Sequence, residues 1–121
     1  LRSIAPIDTE TIFGSVRKTG RLVVADTSHS MFSVSSEIVA LVTERQMSDL
    51  KAAPKRVSCP PYPSPSSPFL ADTYYPDAAK IAAVSLECFD HDFGETGDQI
   101  INSLVRAEPR DVPDLAYSGP F

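Results

Sequence analysis

No apolar run in this chain approaches the roughly 20 residues that cross a bilayer. The longest candidate, residues 37–42, runs at once into Thr43, Glu44 and Arg45, so no membrane span is expected. Basic charge is scarce as well. Lys and Arg number 11 against 16 Asp and Glu, for a net charge of −5, and Arg17-Lys18 and Lys55-Arg56 are the only adjacent basic pairs. A nucleic acid or an anionic membrane needs a basic face, so neither is an expected partner. There are two cysteines, Cys59 and Cys88, one at the end of a predicted strand and one on a predicted helix. They read as buried thiols of a reducing compartment rather than as a disulfide, which points to the cytoplasm or to a mitochondrial matrix. Gly14, Gly20, Gly94, Gly97 and Gly119 are isolated, and neither G-x-G-x-x-G nor G-x-x-x-x-G-K-[ST] occurs. The backbone cradle that dinucleotides and phosphates use is therefore missing. Leu1 opens the sequence without Met and without a basic-then-apolar leader, and the expectation is a piece of a longer chain.

What is present suits one ordinary globular domain. The 121 residues are 42% hydrophobic and 22% charged, and a chain of this size buries roughly two-thirds of its unfolded surface. The organising stretch is residues 7–40, which reads as helix, tight turn, buried strand, polar loop and second helix. Residues 1–5 are apolar enough to be the tail of a strand, closed off by Pro6. Asp8 is a good N-cap with Glu10 in the first turn, and Ile7 and Ile12 stand at the two positions of a hydrophobic staple. Ile12, Phe13 and Val16 form the apolar stripe. Arg17 and Lys18 suit the carboxyl end, and Gly20 is the expected left-handed terminator.

Leu22, Val23, Val24 and Ala25 follow as an uninterrupted apolar run, the mark of a strand covered on both faces in a mostly parallel sheet. Residues 26–33 read as a loop, with Ser33 or Ser35 capping a helix whose apolar positions are Val34, Ile38, Leu41, Val42 and Leu50. That stripe is wide enough to pack on a sheet and meet something further. Residues 51–54 end it, and residues 55–59 form a shorter, more polar strand. Residues 60–69, PPYPSPSSPF, hold five prolines in ten positions, which calls for an extended strap over the domain. Asp77 caps a further helix with Ile81, Val84 and Cys88 on its buried face. Residues 90–98 read as an acidic hinge, residues 99–107 as a short helix through Ile100, Ile101, Leu104 and Val105, and the remainder as an extended tail. The fold class is α/β, a three-layer sandwich with a mostly parallel sheet between helices and an extended C-terminal tail.

Constellations with chemistry are thin. His29 beside Asp26, Ser28 and Ser30 suggests a nucleophile and base, but hydrolase nucleophiles sit on a glycine-bearing elbow and this loop has no glycine. Cys88, Asp90, His91 and Asp92 are too close in sequence to converge on one ion, and no second His lies near. No catalytic, cofactor or metal residue is assigned. Exposed contact residues are expected instead: His29, Met31, Phe32, Val34 and Ile38 around the loop, and Phe121 at the end of the tail.

A family resemblance rests on several segments in order. LRSIAPIDTETIFGSVRKTGRLVVADT, then SSEIVALVTE, then APKRVSCPPYPSPSSPFLADTYYPDAAKIAAV resemble the carboxyl-terminal domain of transketolase-like thiamine diphosphate enzymes. The likeness is nearest to the beta subunit of the decarboxylase component of 2-oxo acid dehydrogenase complexes, such as the pyruvate dehydrogenase beta subunit, and covers residues 1–84. It implies that residues 1–89 form that domain without its first strand; residues 90–121, the acidic hinge, short helix and tail, exceed the usual family ending and are not placed by the resemblance. It also implies a non-catalytic subunit-assembly role. The full oxidoreductase would decarboxylate a 2-oxo acid with thiamine diphosphate and Mg, and pass the acyl group to a lipoyl arm. No cofactor is expected in this fragment, which should be inactive alone. The implied partners are an alpha subunit, a second beta subunit and the acyltransferase core, in an oligomer. The other reading from the residues is a stand-alone α/β interaction module that binds through its proline-rich strap and tail.

Overall fold

In the computed structural model, residues 1–106 are described; the tail that the sequence reading expects to be extended, with Phe121, lies outside them. The chain forms α1 (Thr9–Thr19), β1 (Val23–His29), α2 (Val34–Gln46), a 3-10 turn (Met47–Asp49), β2 (Lys55–Cys59), α3 (Pro68–Tyr74), α4 (Ala78–Leu86) and α5 (Gly94–Ser103). Local chemistry sets the helix ends. Asp8 accepts from Thr11 N at 3.1 Å, Ser33 caps α2 by accepting from Ser36 N at 3.2 Å, and Asp77 accepts from Lys80 N at 2.7 Å. Gly20 closes α1 at φ 70°, and a Cβ there would meet the Lys51 stem at 2.7 Å, so both backbone and space demand glycine.

β1 and β2 pair in parallel, Val23 opposite Lys55 and Ala25 opposite Val57. α2 and α4 each pack on both strands, with α1 against α2 and α5 against α4. The alternation of β2 shows how the layers are arranged. Arg56 and Ser58 turn to α2, where they meet Ser36 Oγ and Ser35 Oγ. Lys55 turns the other way and pairs with Glu87 just past α4 at 3.4 Å, and Val57 and Cys59 share its parity and are buried. The sheet thus lies between two helical layers, as the α/β reading expects. The core is Val16, Ile38, Val42, Val57, Cys59, Tyr74, Ala79 and Cys88. Both cysteines are free and buried.

Several boundaries depart from the sequence reading. Residues 1–5 form an irregular stretch and a turn rather than the tail of a strand. The strand extends through Asp26 and His29, because the partner groups of β2 hold polar residues in the ladder that apolarity alone would have ended at Ala25. The strap stops short of its expected end, since Pro68 takes the first position of α3, where its missing N–H costs nothing. Leu50 falls beyond α2, after the 3-10 turn. On α4, Ile81 and Val84 are only half-buried, and Ala79 is the buried residue. The last helix begins at Gly94, not residue 99, with Gly94 N donating to Asp92 at 2.9 Å. Gly97 is buried on α5, which packs on α4; a Cβ there would crowd Phe93 at 3.0 Å and touch Leu86 at 3.5 Å.

Candidate functional site at the carboxyl end of strand β1

Three groups of side chains meet where β1 gives way to α2. The first is centred on Asp26. One carboxylate oxygen accepts from Ser28 N at 3.1 Å and Ser28 Oγ at 2.7 Å, and the other accepts from Ser35 N at 3.2 Å. Burial on its own would raise the Asp26 pKa. Hydrogen bonding from Ser28, Ser35 and Ser58 outweighs burial and holds the carboxyl below its ordinary value. Ser35 is fully buried and contacts Ser33 Oγ at 2.6 Å and Ser58 Oγ at 3.3 Å. Asp26 therefore serves as the anion at the amino end of α2, where the helix dipole favours negative charge.

The second group lies on the opposite face of the sheet. His29 Nε2 is 3.2 Å from the Tyr74 hydroxyl, and that hydroxyl donates to Tyr62 O at 2.8 Å. A phenol has one proton to give, so His29 is the donor in its contact and carries its hydrogen on Nε2. The rings of Tyr62 and Tyr74 pack edge-on with centroids 5.4 Å apart, and those of Tyr74 and Tyr75 at 4.9 Å. Burial, with smaller contributions from Cys59, Tyr75 and Tyr62, pushes the Tyr74 phenol above its ordinary value.

The third group is the connecting loop itself. Arg56 Nη1 donates to Ser30 O at 2.6 Å and Ser36 Oγ at 2.5 Å, tying the loop to β2. Phe32 stands 97% exposed at φ 54°, with Met31 beside it 56% exposed. A left-handed backbone under a bulky side chain costs about 1–2 kcal/mol, so the loop holds this ring outward against its own preference. A broad hollow lined by Met31, Phe32, Val34, Glu37, Ala40 and Arg56 opens next to it.

Of the contact residues read from the sequence, His29, Met31, Phe32 and Val34 gather at this end of the strand. Ile38 lies beneath, 4% exposed, lining with Ile12, Val16, Leu22 and Val24 an apolar hollow between α1, β1 and α2. Arg56, Tyr62 and Tyr74 belong to the site and were not singled out by sequence. They come from β2, the strap and α3, and no spacing along the chain links them to residue 29.

The arrangement is poorly made for catalysis or for a diphosphate. His29 gives its Nε2 proton to Tyr74, and Ser28 gives its hydroxyl proton to Asp26, so the pairing that activates a serine is absent here. The N–H groups at the start of α2 already face Asp26 and Ser33, so a diphosphate would meet a carboxylate where it needs donors. Among the described residues no group of three His, Cys, Asp or Glu converges as a metal site. Thiamine diphosphate with Mg does not fit these residues.

The described residues thus form an α/β domain, a parallel sheet flanked by helices. The chain belongs to the family of transketolase carboxyl-terminal domains, which matches residues 1–81. It is 41% identical over 86 residues to the acetoin:2,6-dichlorophenolindophenol oxidoreductase subunit beta of Bacillus subtilis, covering 71% of this chain and 25% of that protein. It is 55% identical over 58 residues to the pyruvate dehydrogenase E1 component subunit beta of Mycoplasma pneumoniae, covering 48% of this chain and 18% of the other. The mitochondrial pyruvate dehydrogenase E1 beta subunit of Saccharomyces cerevisiae is 40% identical over 82 residues, 67% of this chain and 22% of its own length. The chain thus spans about a quarter or less of each of these relatives.

Proposed function

We propose that this chain is a subunit-assembly domain of a thiamine diphosphate-dependent 2-oxo acid dehydrogenase, non-catalytic by itself. The observation that carries the reading is the family match across residues 1–81, together with relatives named as beta subunits of the pyruvate dehydrogenase E1 component and of an acetoin oxidoreductase. The strand end supports it: an outward Phe32 and Met31 over a broad hollow suit a protein surface, while the start of α2 is closed to an anion by Asp26. In the full enzyme the cofactor would be held by other domains, and this one would contribute contacts to a beta or alpha neighbour or to the acyltransferase core. The buried free thiols Cys59 and Cys88 fit a reducing compartment, cytoplasm or mitochondrial matrix. Among the described residues no helix is long and apolar enough to cross a membrane.

Light scattering with a hydrophobic dye, together with titration of thiamine diphosphate and Mg, tests the reading. The chain should self-associate or bind dye through exposed apolar surface, and show no saturable cofactor binding. A clean monomer that excludes the dye, or one that binds the cofactor stoichiometrically, overturns it.

A further inference from the structure

Two serines of the strap precede proline, Ser64 and Ser67. Ser67 is exposed and stands ahead of α3 in an extended conformation, φ −80° and ψ 126°. A serine there ordinarily accepts from the first N–H groups of the helix, yet the Ser67 hydroxyl makes no such bond. Instead Ser67 lines a hollow of about 390 Å³ together with Ser66, Ala71, Tyr75 and Arg106. Arg106 is the charged residue of that lining, and no carboxylate shares it. Arg106 engages another group as well, and a guanidinium has N–H donors enough for two partners. α3 itself is short, and among the described residues it makes no extensive contact with another helix or strand. Its Phe69 and Leu70 are 80% and 51% exposed. A helix so short and so lightly packed is marginal, so its first turn opens at low cost and the strap around Ser67 can be drawn out as an extended peptide.

We propose that Ser67 is a phosphorylation site, modified by a proline-directed protein kinase, and that Arg106 receives the phosphate. Ser64 also precedes proline but is not among the residues of the hollow, and Ser66 lines the hollow but precedes no proline; Ser67 meets both conditions. In the transfer, the Ser67 hydroxyl oxygen forms a bond to the γ-phosphorus of ATP and the bond from that phosphorus to the bridging oxygen breaks. ADP leaves, and the hydroxyl proton passes to the carboxylate base of the kinase. The product carries close to two negative charges and three strong acceptor oxygens. A planar guanidinium is the side chain best matched to them. The phosphate thus ties the strap and the start of α3 to the segment that follows α5. This inference goes beyond the assembly reading and stands without it.

Incubation of the native full chain with a proline-directed kinase and ATP tests this, read by peptide mass spectrometry and phosphorus NMR on the parent, Ser64→Ala, Ser67→Ala and Arg106→Gln chains. The parent should take up phosphate at Ser67, Ser64→Ala should do the same, and Ser67→Ala should lose the uptake with an unchanged far-ultraviolet dichroism spectrum. The phosphate on Ser67 should titrate below the second pKa of about 6 of a free phosphoserine, because a neighbouring cation favours the dianion. In Arg106→Gln the titration should return toward that value. Phosphate found on Ser64 instead, or taken up only after the chain is unfolded, or not taken up at all, overturns the site. A titration identical in the parent and in Arg106→Gln overturns the role of Arg106.

Discussion

At the scale of single residues, Asp26 does the most. It joins β1 to the start of α2 through a bond to a residue nine positions away, and it supplies the charge that the helix end favours. Its carboxyl titrates below its ordinary value in the folded chain, so between the two values the unfolded chain binds more protons than the folded one. The stability it confers is full at neutral pH and is lost as pH falls from about 4 through the folded value. Asp26→Asn should therefore destabilise by about 1–2 kcal/mol at pH 7, discounted for partial exposure. In urea titrations the gap between variant and parent should narrow as pH falls below about 4. A gap that persists undiminished at pH 3 would show that the carboxylate charge is not what matters. The negative charge was visible in the sequence. Its partner was not, because the bond comes from a backbone N–H nine residues on, and only the bend of the chain after His29 brings the two together.

At the scale of elements, the legible features were those that depend on neighbours within a turn or so. Asp8, Ser33, Asp77 and Gly20 occupy their caps because each bond closes over a few residues. The illegible ones depend on distant partners. Asp26 to His29 join β1 through β2, α3 starts on a proline that the strap reading absorbed, and α5, packed against α4, starts five residues earlier than read. Gln46 is a further case. It is polar and ends α2, yet it is 5% exposed. Its amide donates to Phe13 O at 3.1 Å and accepts from Arg17 Nη1 at 2.8 Å, which fastens α2 to α1. Gln46→Ala should lower unfolding free energy by about 1–3 kcal/mol, because it strands polar groups away from water. Thermal unfolding followed by circular dichroism reads this directly, and a loss under 0.5 kcal/mol, within the range of an ordinary surface change, would rule out the fastening role.

At the scale of the whole molecule, Tyr74 ties segments far apart in sequence to one another. From the end of α3 its hydroxyl touches the end of β1 through His29 and the strap through Tyr62. Arg21 performs a similar service on the far side, donating to Cys88 O at 2.8 Å and stacking 4.4 Å over the Phe89 ring. Tyr74→Phe keeps the ring and its edge-on packing while leaving a His29 N–H and a Tyr62 carbonyl without their partner. About 1–2 kcal/mol should be lost, and hydrogen exchange should speed up in the strap and at the end of β1 while α1 stays protected. Uniform acceleration over the chain would instead mean that Tyr74 supports the global fold.

The pairing of β1 with β2 has a consequence for how this segment can change length. From Ala25 to His29 the first strand advances four residues while the second, from Val57 to Cys59, advances two. The surplus is even, so alternation survives it, and His29 arrives on the same face as Ala25, where Tyr74 waits. Without a bulge to absorb it, a surplus of one would carry the imidazole to the α2 side. Descendants of this chain can gain or lose residues here in pairs and keep both faces of the sheet, whereas a single insertion or deletion keeps them only where a bulge takes up the odd residue.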